Sequence, residues 1–219
     1  MLARAGKPWF VTKPNWRFSA VLVADVLLIF VVLPLFPHRD APRFIPSLLE
    51  LAIADSTILL LSDRRSIRLG ALTILAVAAL SFALPHKASH LTTSAFGAAC
   101  SLLITVVVGR SVFKRGVVDA HHIAGAIALY LNVGLSFAAI FAFISEFSPG
   151  AFSGLSSDYT GSVAEMMHFS LTTLTTVGYG DILPVSPIAR SAADLEAVIG
   201  QIFPATLLAR LVGLTVSSR

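Results

Sequence analysis

Thr175-Thr176-Val177-Gly178-Tyr179-Gly180-Asp181 is the stretch from which the rest of the chain is read. Gly178 and Gly180 alternate with Val177 and Tyr179. Glycine enters left-handed backbone without a Cβ penalty, so this alternation allows successive carbonyl oxygens to be aimed one way. A row of aimed carbonyls offers oxygen ligands to a dehydrated cation without adding fixed charge. Thr176 adds a hydroxyl oxygen at one end of the row, and Val177 and Tyr179 point away from it. A Gly-rich turn between two helices would explain Gly-Tyr-Gly alone. Seven residues in this order, ahead of an apolar helix in an apolar chain, argue against so plain a turn.

The motif resembles the selectivity filter of the tetrameric potassium-channel superfamily, in which four Thr-Val-Gly-Tyr-Gly loops replace the hydration shell of the ion. The resemblance implies K+ as the permeant ion, coordinated by Thr176, Val177, Gly178, Tyr179 and Gly180. It implies supporting roles for Thr172, Thr175 and Asp181, the last just outside the filter. No other metal and no cofactor is expected. One loop makes a quarter of a filter, so one loop per chain implies a homotetramer. The likeness is specific over residues 123–216, under half of the chain.

The 219 residues are 56% hydrophobic and 13% charged, against about 25% charged in soluble domains. This is the composition of a polytopic membrane protein. About 20 apolar residues cross the hydrocarbon. Candidate spans are Phe18–Phe36, Ile45–Ser62, Leu69–Leu84, Leu91–Gly109 and Ile123–Ile144. A sixth, Ile188–Val216, is interrupted by Arg190, Asp194, Glu196 and Arg210 and is assigned because a pore loop needs a helix after it. The first span is longer than the core of a signal peptide and lacks a small-x-small cleavage site after it. The expected fold is therefore an all-α membrane protein. It has six transmembrane helices, with a re-entrant pore helix and selectivity filter between the fifth and sixth. Its parts are an N-terminus (1–17), a four-helix peripheral domain (18–110), a linker (111–122) and a pore domain (123–219).

Charge orients this layout. With the N-terminus cytoplasmic, the inner side holds Arg4, Lys7, Lys13, Arg17, Arg64, Arg65, Arg68, Arg110, Lys114, Arg115, Arg210 and Arg219, which is 12 of 16 basic residues. Arg39, Arg43, Lys87 and Arg190 fall outside. That bias follows the positive-inside rule, puts Asp181 outside and both termini inside, and explains the net charge of +4 without nucleic acid. The lone Cys100 lies in an apolar segment and excludes an intrachain disulfide. Short loops and the lack of an Asn-x-Ser/Thr sequon fit a prokaryotic inner membrane.

Ser162-Val163-Ala164-Glu165 has the form of a capping box and predicts a helix from Val163 to Thr175, preceded by an exposed loop over 146–161. Ser186-Pro187 supplies an N-cap and first-turn pair for the last helix. Within that helix Pro204 has no N–H for the carbonyl of Gly200, so both defects fall on one turn. The resemblance implies a gating hinge there, at Gly200 and Pro204.

Several features depart from the family. Leu91–Gly109 holds no basic residue, so the voltage-sensing ladder of related channels is absent. After the sixth span no length remains for a tethered nucleotide- or calcium-binding domain. Met167 and His168 stand where relatives carry paired aromatics, and Thr172 stands where a carboxylate often sits. Both changes leave Tyr179 short of familiar partners, and His168 is read as a packing residue. Asp25, Glu50 and Asp55 are intramembrane acids of unknown role. Asp25 and Asp55 each lie about 10 Å in from the same boundary; separate hydrogen bonds to neighbouring helices are favoured over a shared proton. His86/His90 and His121/His122 lack supporting ligands and read as interfacial residues.

The leading function is a passive potassium-selective channel subunit, not an enzyme, since no nucleophile–base or metal-ligand constellation is present. The alternatives are a non-conducting accessory or heteromeric subunit and a secondary cation transporter. The latter would need related halves with broken helices, which the chain lacks. Membrane lipid is an expected partner, and an unidentified regulatory ligand or subunit is a further candidate.

Overall fold

The computed structural model describes residues 16–32, 120–156 and 163–217, with single helical positions at 95, 98, 99, 101, 102, 105, 106 and 109. The expected spans at 45–62 and 69–84, with Glu50, Asp55 and the paired histidines 86 and 90, lie outside the described residues.

Helix α1, Trp16–Leu27, runs on as one π-helical stretch, Leu28–Val32. Helix α2 is Ala120–Phe147, helix α3 is Val163–Leu174 and helix α4 is Pro187–Ser217. The predicted fifth span, the short helix after Ser162 and the last span therefore all appear, each a few residues from its expected bounds. Two helical stretches, Ile123–Phe147 and Pro187–Arg210, are long and apolar enough to cross a membrane; Ser19–Val31 is a shorter apolar helix.

Helix α2 is the hub, packing against α1, α3 and α4. In α1 the buried positions are Val21, Asp25 and Ile29, while Val23, Val26, Leu27, Phe30 and Val31 are exposed. The i, i+4, i+8 spacing makes a single stripe, and the acid sits in its middle. Asn132 of α2 donates to Asp25 Oδ2 at 2.7 Å and to its own helix at Ala128 O. Asp25 thus finds its partner on α2, in the form of a separate interhelical hydrogen bond. The polar row continues through Ser136, which donates to Asn132 O, to the hydroxyl of Thr105, 2.8 Å from Ser136 Oγ.

Small residues set how closely α3 approaches. A Cβ on Gly134 would meet Leu171 and Leu174 side chains at 3.3 and 3.4 Å. Beyond α2 the described part of the expected loop, 146–156, is largely exposed but is pinned back at Ala151 and Phe152. Phe152–Ser153 (β1) pairs antiparallel with Leu183–Pro184 (β2). Ala151 and Phe152 are buried, and Val185 and Ser186 both donate to Ala151 O. The cause is aromatic: Phe152 joins Phe141 of α2 and Phe169 of α3, with ring centroids 4.9–5.7 Å apart in edge-to-face geometry. Gly154, at φ +86°, brings this turn against the Asp181 carbonyl, where a Cβ would collide.

Candidate functional site

The stretch 175–181 leaves the end of α3 and returns to the head of α4. Three of its residues have left-handed backbone, and they alternate: Thr176 at φ 61°, Gly178 at 54° and Gly180 at 78°. A threonine in this region is uncommon, because its branched side chain crowds the backbone; Thr176 is the one described non-glycine residue that adopts it.

What holds Thr176 there is the end of α3. The last turn of any helix leaves carbonyl oxygens without intrahelical partners. Here the loop fills them: Thr175 N donates to Leu171 O, Thr176 N to Thr173 O, and Val177 N and Gly178 N both to Thr172 O, at 2.8–3.2 Å. All peptide bonds described are trans, so each carbonyl points opposite to the N–H of its own peptide unit. With the amides of 176, 177 and 178 turned into α3, the carbonyls of Thr175, Thr176 and Val177 face away from it, on the open side of the loop. Thr172 supports the loop through its carbonyl, while its hydroxyl bonds back to Phe169 O. The Thr175 hydroxyl likewise bonds to Leu171 O at 2.6 Å.

At the far end of the loop, His168 of α3 is the brace. Its ring lies parallel to Tyr179, 1° between planes and 5.8 Å between centroids. Its Nε2 sits 3.0 Å from Asp181 Oδ2. His168 is thus half-exposed, packed against Tyr179 and bonded to Asp181. Met167, its neighbour, is the one buried in the core. At the near end, Gln201 of α4 donates to the Thr176 hydroxyl at 3.3 Å.

Behind the loop α3 is tied to both long helices. Tyr130 of α2 donates to Leu174 O at 3.0 Å. Ser170 lies 2.7 Å from Gly134 O and 2.5 Å from Glu196 Oε1 of α4. One turn beyond Glu196, α4 presents Gly200 to the backbone of Leu174, so close that a Cβ would strike the Leu174 carbonyl. Helix α4 itself starts as its sequence suggested, with Ala189 N donating to Ser186 Oγ and Pro187 in the first turn. It remains helical through Gly200 and Pro204.

A sequence profile described as "Ion channel" matches residues 123–217, the segment whose geometry has just been set out. This part of the chain resembles the potassium-channel superfamily. Over 42 residues it is 38% identical to the inward rectifier potassium channel Kirbac3.1 of Paramagnetospirillum magnetotacticum, covering 19% of this chain and 14% of the relative. Over 88 residues it is 34% identical to Protein LctB of Bacillus caldotenax, covering 38% of this chain and 64% of that one. The matches thus span less than two thirds of either relative. No solved structure matches the chain. The profile match and the two long apolar helices both fit a membrane protein of the ion-channel class.

Within the segment that matches the profile the motif residues 175–181 are brought together with Thr172, His168 and Gln201, whereas Asp25 lies apart on α1. Reading by motif missed four contributors. Tyr130 and Gln201 carried no local signal, since each acts through a carbonyl or hydroxyl distant in sequence. Asn132 was legible as a lone amide in an apolar span, and His168 as the residue eight places before Thr176.

Proposed function

We propose that the chain is a potassium-selective channel subunit, four copies of which surround one pore. The observation that carries this reading is the alternation of left-handed backbone at Thr176, Gly178 and Gly180, with the adjoining amides turned into α3. Ions would shed water into successive rings of oxygens from Thr176, Val177, Gly178, Tyr179 and Gly180, and advance by knock-on between sites. Thr172, Thr175 and His168–Asp181 hold the loop from behind and above. The C-terminal end of α3 adds the negative pole of a helix dipole on the cation's side.

Exposed surface supports the fourfold assembly. Tyr179 is 72% exposed in the single chain although its ring carries the filter wall. Val198, Ile202, Leu208 and Val212 on α4 are likewise bare. In a membrane span such apolar side chains face lipid or a neighbouring helix, and the fourfold reading assigns part of this face to neighbouring copies. In this reading six helices cross a prokaryotic inner membrane with both termini cytoplasmic. Gating acts without an arginine ladder, with α4 bending at Gly200–Pro204, where Pro204 leaves the Gly200 carbonyl without a main-chain donor.

Purified protein in planar bilayers under a K+ gradient tests the proposal. Stepwise currents reversing near the K+ potential are expected, lost on Gly178→Ala. Flux without unitary steps, as of a transporter, or silence, as of an accessory subunit, overturns it.

A further inference from the structure

Glu196 is wholly buried in α4, yet the channel reading gives it no contact with the ion. It stands nine residues into the helix, about 14 Å along its axis, deep in an apolar span. No basic side chain pairs with it among the described residues. The titratable group facing it from α2 is Tyr130, whose hydroxyl is committed to Leu174 O; α3 presents Ser170.

A proton count around Ser170 decides the state of this acid. Ser170 Oγ is 2.7 Å from Gly134 O and 2.5 Å from Glu196 Oε1. A hydroxyl has one proton and donates once. The Gly134 oxygen can only accept. A carboxylate at 196 could also only accept, leaving two acceptors around one proton at bonding distance. The count closes when the carboxyl brings its own proton: Ser170 donates to Gly134, and Glu196 donates to Ser170. The other oxygen agrees. Oε2 is buried with no hydrogen-bond partner, a position that the carbonyl oxygen of a neutral acid tolerates far better than a charged one.

We propose that Glu196 is a neutral, proton-carrying positioning residue that joins α4 to α3 and, through Ser170, to α2, and thereby sets where the filter loop stands. The second half of this inference rests on the channel reading; the protonation does not. The junction lies two residues before Thr172, whose carbonyl receives the amides of Val177 and Gly178. Together with Tyr130 on Leu174 O and Gly200 against the Leu174 backbone, it locates the end of α3 from both sides. Thr172 itself carries no charge, and the acid arrives from the next helix.

The test uses the full chain in lipid vesicles at neutral pH. The infrared spectrum should contain a protonated-carboxyl band, shifted in D2O, that disappears in Glu196→Gln. Glutamine keeps an N–H donor for Ser170, so E196Q should retain K+ over Na+ preference within about twofold, whereas Glu196→Ala should lose about tenfold, as for one buried hydrogen bond broken. Should E196A fail to assemble, Ser170→Ala serves: it should lose selectivity alone and recover part of it in combination with Glu196→Leu, because replacing both partners by apolar groups is nearly neutral. A spectrum in which the wild type and E196Q coincide overturns the proposal, as does an E196Q channel as impaired as E196A or S170A. The two readings separate cleanly. A silent protein with the band refutes conduction and keeps the neutral acid, while a conducting protein without it does the reverse.

Discussion

Helices α2 and α4 are of similar length, and they spend their surfaces differently. In α2, 61% of the apolar span is buried within the chain; in α4 it is 17%. The first carries Asn132, Ser136 and Gly134 on faces that meet α1 and α3 and is satisfied by its own chain. The second meets α3 along one stripe, through Glu196, Gly200 and Gln201, and leaves Leu195, Val198, Ile202, Leu208 and Val212 bare. A helix buried by its own chain is a scaffold, whereas one that buries a single stripe is waiting for neighbours. The contrast also explains why hydropathy found α2 at once and α4 only with the help of the motif. Arg190, near the head of α4, bonds to Pro184 O, Glu196 is enclosed, and Arg210 lies near the far end. Three of the four polar residues that interrupt the span are thus placed where it contacts other structure or near its far end, while Asp194 is exposed.

This contrast is broken most severely at the stripe itself. Gly200→Ala puts a methyl into the Leu174 carbonyl, and neither backbone can yield without moving a whole helix. A loss of about 3 kcal/mol is expected, the upper end for overpacking, read as a fall in the unfolding midpoint of the assembled protein together with loss of current. An intact midpoint with altered open probability would instead make Gly200 chiefly a hinge.

On the α2 side the largest effect falls at Asn132. Asn132→Leu leaves Asp25 buried without its hydrogen-bond donor from α2, costing about 2 kcal/mol. Disulfide cross-linking between cysteines introduced in α1 and α2, with Cys100 replaced, should fall while the pore segment still assembles. If assembly fails too, α1 and the pore are one cooperative unit and the scaffold is broader than α2.

His168→Ala comes next. It removes the bond to Asp181 and the ring beside Tyr179, a change of about 1 kcal/mol. Current decay under sustained activation should quicken, and His168→Phe should restore the stacking without the hydrogen bond, giving an intermediate rate. The smallest effect is expected at Ile127, exposed on α2. Ile127→Ala should change stability by less than about 0.5 kcal/mol, while Val198→Ala on α4 should weaken assembly measurably in size-exclusion chromatography, although both side chains are bare in the single chain.

How legible this was in the sequence differs from residue to residue. The bounds of α2, α3 and α4 were readable because capping residues and apolar runs are local signals: Ser186-Pro187 starts α4 as expected. The Ser, Gly and Pro content of 146–161 reported an exposed loop, and its described part is largely exposed, but the anchoring of Phe152 against Phe141 and Phe169 was not legible. The partners of His168 were not legible because a lone histidine on a helix has no local signature; they appear only when Tyr179 and Asp181 come back beside it.

By itself, the order of residues 175–181 carried the resemblance to potassium channels and the backbone freedom of the loop, since glycine placement governs which backbone conformations are open. It also determined that Gly200 and Pro204 share a turn. Tertiary structure alone decided that Thr176 adopts a left-handed conformation, that Gly200 is a contact as well as a candidate hinge, and that Asp25 and Glu196 answer to different helices. The physical reason is common to all of these. Strain, close approach and the partnering of a buried acid depend on atoms far away in sequence, and they become definite only when helices pack.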